Sequence, residues 1–159
     1  MPTFEFHHVW ALDAPAARVF DALADVERYA AWWPQVRTVQ RIDEHSGRTA
    51  VRSFLPYTLD LVLRREVEDE ASRALRVAVS GDLEGWCQWQ VEPATDHDGG
   101  TVATFDQVAL VTPALLARTA RLTAPLLRAN HAWMMRSGRA GLAAYLRATR
   151  GPGRATISG

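Results

Sequence analysis

The sequence predicts an α+β fold: a curved antiparallel sheet of about seven strands wrapped around a long C-terminal helix, with two short helices after the first strand. Three observations carry this. Residues 3–12 alternate and are followed at once by a helical start, residues 35–112 read as short strands broken by turn chemistry, and one long apolar helix closes the chain. A curved sheet cannot bury its inner face alone, so the closing helix must lie in it and can leave a hollow beneath.

In the first strand, Thr3–Leu12, Phe4, Phe6, His8 and Trp10 share one face and Glu5 and His7 the other. Asp13-Ala14-Pro15 resembles a helix start, with Asp13 a candidate N-cap and Pro15 tolerated in the first turn. Val19, Phe20, Leu23 and Val26 then recur at helical spacing, and a second short helix, Val26–Trp32, stops at Pro34. Strands are expected at Gln35–Glu44, Thr49–Phe54, Tyr57–Asp69, Ala74–Ser80, Gly85–Pro93 and Thr101–Thr112. The short breaks between them favour an antiparallel meander, because parallel crossovers need a dozen or more residues. Pro125 divides the last segment into a short leading piece and a main helix. On that helix Leu126, Asn130, Trp133, Ser137, Gly141 and Ala144 are expected inward, with Arg121, Arg128, His131 and Arg139 outward. Residues 1–149 are read as a single domain and 150–159 as a flexible tail.

Composition excludes several function classes. The chain has 159 residues with 18 basic and 18 acidic side chains, a balance with no electrostatic footprint for nucleic acid. No apolar stretch approaches the ~20 residues needed to span a bilayer, and the N-terminus lacks signal-peptide features, so a cytoplasmic location without integral membrane association is expected. All basic residues are Arg; without Lys there is no Schiff-base chemistry and no P-loop. Cys87 is the only cysteine and reads as a structural side chain. The five histidines show no ligand-spaced cluster, and no phosphate loop or nucleophile elbow appears. Neither a metal nor a cofactor is expected.

Arg65 is the sharpest candidate. Alternation along Tyr57–Asp69 places it on the face of Tyr57, Leu59, Leu61, Leu63 and Val67, in an otherwise apolar row. It reads as half of a structural ion pair with an inward acid such as Asp106, as a residue near the cavity mouth, or as a fixed cation for a ligand oxygen. A β-bulge would reverse the parity and remove the argument. Asn130, mid-stripe on the last helix, must find partners in the sheet or on a ligand. His8, in an apolar row, reads as a satisfied core histidine or a weak acid/base candidate. The six tryptophans are mostly core, with Trp33 and Trp133 preferred as pocket walls. Phe54, Leu61, Leu63, Met134 and Ser137 complete the expected lining.

The run Pro15-Ala16-Ala17-Arg18-Val19-Phe20-Asp21-Ala22-Leu23-Ala24-Asp25, then Trp32-Trp33-Pro34 and the closing helix, resembles the START-like superfamily (SRPBCC, Bet v 1-like) with its helix-grip fold, and its bacterial polyketide cyclase/dehydrase branch most. The resemblance implies a hydrophobic or aromatic small molecule bound in an internal cavity, with aldol cyclisation and dehydration as the possible reaction. It implies substrate contacts at Arg65 and Asn130, with Tyr57 the nearest candidate for an acid/base aromatic. A non-catalytic lipid, quinone or isoprenoid carrier or sensor is the alternative, and a protein-partner module a second one. The chain is expected as a monomer or homodimer.

Overall fold

The computed structural model describes residues 3–53, 55–118 and 123–149. Strand β1 (Thr3–Leu12) leads into α1 (Ala16–Ala24), a single 3-10 turn (Val26–Arg28) and α2 (Tyr29–Trp32). Six strands follow: β2 (Val36–Arg41), β3 (Ser46–Val51), β4 (Leu59–Asp69), β5 (Ala74–Gly81), β6 (Leu83–Pro93) and β7 (Thr101–Val111). Then come the short α3 (Pro113–Arg118) and the long α4 (Ala124–Ala148), which carries Pro125 in its first turn, where the missing N–H costs nothing. The seven strands form one antiparallel sheet in the order β1-β7-β6-β5-β4-β3-β2. The meander is closed by β1, which returns to pair with β7, and the curved sheet grips α4 as in the helix-grip fold.

Several local expectations change. The α1 N-cap is Pro15, without a side-chain cap bond, while Asp13 lies 3.4 Å from the His97 imidazole. The strand β4 begins at Leu59, so Tyr57 lies in the turn before it rather than in the strand row. The register of β4 against β5 shifts between Arg65 and Val67, a bulge that ends the clean alternation and leaves Val67 exposed.

The core lies between the inner sheet face, α1, α2 and α4. Trp10, Trp33 and Trp89 meet there, Trp10 being 5.6 Å from Trp33 and 4.7 Å from Trp89 between ring centroids. Met135, Leu142 and Leu146 meet them from α4. The buried α4 residues are His131, Met135, Gly138, Leu142 and Leu146, one or two positions on from the expected stripe. Trp133 is therefore 52% exposed, not a pocket wall, and His131 is buried, not outward. The reason is packing: the stripe through Met135, Leu142 and Leu146 buries more aliphatic volume than one through Trp133, Ser137, Gly141 and Ala144.

Glycines in α4 let this helix approach α2. A methyl group at Gly138 would come within 2.5–2.9 Å of the Trp33 indole, and one at Gly141 would overlap the Trp32 carbonyl oxygen. The indole N–H of Trp33 donates to the Met134 carbonyl at 2.9 Å. Neither a ligand nor the sheet explains these glycines; the α2–α4 contact does. With α4 held close to α2 and β1, the rest of the inner sheet face stands away from it. No helix among the described residues is long and apolar enough to cross a membrane.

Candidate functional site

Two chambers lie between the inner sheet face and α4. The first, about 130 Å³, is bounded by residues that include Phe6, Ser53, Tyr57, Gln107, Asn130 and His131. The second, about 120 Å³, is bounded by residues that include Trp33, Leu63, Leu75, Cys87, Trp89 and Phe105. We call them the polar and the tryptophan chamber. Val51, Leu61, Gln107 and Met134 line both, so the chambers meet at these four side chains. The tryptophan chamber shares Val39, Thr49, Leu63, Arg65 and Val77 with a cleft of about 270 Å³ whose rim carries Asp25, Glu27, Arg41, Asp43, Glu44 and His45. Among the described residues charge is thus confined to the mouth, and Arg65 is the single Arg, Asp or Glu that touches either chamber.

The polar chamber contains a hydrogen-bonded chain that the sequence analysis missed. His8 Nε2 lies 3.2 Å from His131 Nδ1, and His131 Nε2 lies 2.9 Å from Gln107 Oε1. Because Oε1 can only accept, His131 Nε2–H donates to it, Nδ1 accepts from His8 Nε2–H, and the His131 ring is neutral. Phe6 stacks on His131 with centroids 3.6 Å apart. Burial, reinforced by His8, pushes the His131 pKa down to about 3, and burial with His7 lowers that of His8. Strand pairing builds the cluster: Phe6 faces Gln107 and His8 faces Phe105 across β1–β7, with α4 laid over them. One signal was readable. In the row Ala103, Phe105, Gln107, Ala109, Val111 the polar Gln107 stands among buried apolar neighbours.

A pH dependence follows, with its sign. Below the ordinary histidine value of 6.5 the unfolded chain takes up a proton that folded His131 refuses until about pH 3. Stability is therefore full above pH 6.5 and falls as pH drops towards 3, by about 1.4 kcal/mol per pH unit for each such proton. His131→Gln should flatten this slope in urea titrations between pH 6.5 and 4. An equally steep slope would show that other groups carry the acid response.

The structure brings Asn130 and Tyr57 to the polar chamber, Trp33 and Leu63 to the tryptophan chamber, and Leu61 and Met134 to both. Ser137 is half-buried and lines neither, and Phe54 lies outside the described residues. Of the readings of Arg65, the structure takes the one at the cavity mouth. The Arg65 side chain is 38% exposed, and its guanidinium pairs with Glu68 at 3.0 Å at the mouth, not with Asp106, which bonds His7. Residues three apart in a regular strand point to opposite faces, and the shift after Arg65 is what brings Glu68 to its side. The Arg65 side chain reaches the wall of the tryptophan chamber while its charge stays in solvent. Cys87 lines that chamber with its thiol pushed up to about 12 by burial, which makes it inert as a nucleophile. Tyr29 donates to the Leu23 carbonyl at 2.5 Å, and burial raises its pKa, so it serves the wall rather than proton transfer. Among the described residues no group of three or more His, Cys, Asp or Glu side chains is placed to hold a metal ion.

An antiparallel sheet gripping one long helix over an apolar hollow defines a small-molecule-binding class of protein. Residues 12–130 match the family described as polyketide cyclase / dehydrase and lipid transport, and the chain belongs to that family. Solved structures agree on the fold. The Zhui aromatase/cyclase from Streptomyces sp. R1128 superposes with a TM-score of 0.72 at 20% identity, over 92% of this chain and 94% of that one. A START superfamily protein from Mycobacterium smegmatis gives 0.73 at 12% identity, over 91% and 97%. Ara h 8.0201 gives 0.67 at 14% identity, over 92% and 99%. No curated protein sequence matches the chain.

Proposed function

We propose that the protein binds a hydrophobic or aromatic small molecule across the two chambers, in the manner of the polyketide cyclase/dehydrase family. The observation that carries this is the pair of apolar chambers meeting at Leu61 and Met134 and opening beside Arg65. A cavity of about 150 Å³ admits one benzene ring, so each chamber suits roughly one ring and a two-ring body would bridge both. Trp33 and Trp89, on one wall, provide the optical test. Titration with neutral 1-aminoanthracene should quench their emission and transfer it to the probe with saturable 1:1 stoichiometry. Linear, unsaturable uptake would refute a defined cavity site.

Holding a ligand fits the chemistry better than turnover. His131 is kept neutral far below physiological pH, Cys87 stays protonated, and Arg65 is bound to Glu68. Proton transfer needs a group whose pKa lies near the working pH. The cyclase reading, favoured by the Zhui aromatase/cyclase likeness, keeps Arg65 as enolate-stabilising cation with Asn130 and Tyr57 orienting the substrate, and requires the guanidinium to leave Glu68 and turn inward. Arg65→Ala separates the two. Carriage predicts 1-aminoanthracene affinity within about twofold of wild type, as for an exposed ion pair. A cyclase predicts that turnover of a poly-β-keto substrate is lost while folding is kept.

A further inference from the structure

Two residues on the wall of the polar chamber, Ser53 and Asn130, each carry an oxygen, Oγ and Oδ1, that is shut off from solvent and has no hydrogen-bond partner among the described residues. Native proteins rarely leave such atoms unpaired, because each loses its water without gaining a replacement. The third polar edge, Gln107, is already engaged: its Oε1 accepts from His131, which His8 holds in turn. The unpaired buried groups on this wall are thus a hydroxyl on Ser53 and an acceptor on Asn130, and among the described residues no Arg, Asp or Glu lines the chamber.

We propose that the polar chamber recognises an uncharged hydroxyl, phenolic or alcoholic, on an otherwise apolar ring ligand. The hydroxyl donates to Asn130 Oδ1 and accepts from Ser53 Oγ–H, and the ring body extends past Met134 into the tryptophan chamber. This rests on the cavity reading above. The chemistry selects the group: a carbonyl cannot donate to Asn130, and a carboxylate would be buried in a chamber that no cation lines among the described residues, Arg65 standing on the other chamber's wall. A single hydroxyl oxygen can do both tasks. The ligand's polar end therefore points away from Arg65, and the His8–His131–Gln107 chain acts as a positioning device that keeps the Gln107 amide from competing for Asn130.

The full chain titrated with 2-naphthol, 2-methylnaphthalene and 2-naphthoate, read by calorimetry, tests this. In a purely apolar hollow the hydroxyl would weaken binding about tenfold relative to the methyl group, because its lost hydration goes unreplaced. We expect 2-naphthol to bind at least as tightly as 2-methylnaphthalene and at least about tenfold more tightly than 2-naphthoate. In Ser53→Ala and in Asn130→Leu the first order should reverse, with 2-methylnaphthalene still bound. If Asn130→Leu fails to fold, Ser53→Ala carries the test alone. A tenfold advantage for 2-methylnaphthalene in the wild type, or 2-naphthol affinity unchanged in the folded variants, overturns the inference and leaves the cavity reading standing. Tightest binding by 2-naphthoate overturns it in favour of recognition at Arg65. Failure of all three probes to bind counts against both.

Discussion

Replacing Gly141 by alanine is expected to destabilise the protein by about 3–5 kcal/mol or to prevent folding, the largest single-residue effect in the molecule. Helix propensity alone argues the opposite, since alanine is favoured over glycine by about 1 kcal/mol in a helix interior. The added methyl would overlap the Trp32 carbonyl oxygen, a backbone atom at the end of α2 that cannot rotate aside. Relief would require α4 to lift off α2, and that movement would pull Met135 and Leu142 from the tryptophan core. Gly138→Ala meets only side-chain atoms of Trp33 and should cost less, although the bond from Trp33 to the Met134 carbonyl limits how far the ring can yield. Urea unfolding of both variants beside Ala144→Gly, an exposed site on the same helix, gives the ranking. A Gly141→Ala protein as stable as wild type would mean that the α2–α4 approach is not the reason for the glycine.

Met134→Trp is expected to abolish ligand uptake, with a loss of at least about 100-fold, while the protein remains folded. Met134 is one of four side chains bounding both chambers, and an indole there occupies space that is now empty, so overpacking is small and the volume lost is the site itself. The Met134 carbonyl that accepts from Trp33 belongs to the backbone and is retained. Titration with 1-aminoanthracene, with circular dichroism as the folding control, reads the outcome. Undiminished binding by the folded variant would place the ligand elsewhere on the surface.

Much of the fold was legible because its signals are local. Alternation marked the strands, Pro34 and Pro125 marked helix boundaries within a residue or two, and turn residues set a meander. The site was legible in part. Leu61, Met134, Asn130 and Trp33 bound the chambers, Leu61 by strand parity, Trp33 at the α2 terminus, and Asn130 and Met134 from α4. Arg65 keeps the face that alternation gives it, since the register shift follows it; what alternation could not show is that the shift sets Glu68 3.0 Å from the guanidinium at the mouth. The buried α4 stripe lies one or two positions on from the expected one, which places Trp133 inward as a pocket wall. That offset hid His131 and, with it, the chain to His8 and Gln107.

The sequence by itself determined the α+β architecture, the order of its elements and the absence of lysine and paired-cysteine chemistry, because hydrophobic period, turn chemistry and composition act within a few residues of each other. Tertiary structure alone decided which face of α4 is buried, where the Arg65 charge ends, and that Ser53, Gln107, Asn130 and His131 share one chamber. These depend on how closely α4 approaches α2 and on one slipped residue in β4, contacts between segments up to about a hundred positions apart that no local pattern encodes.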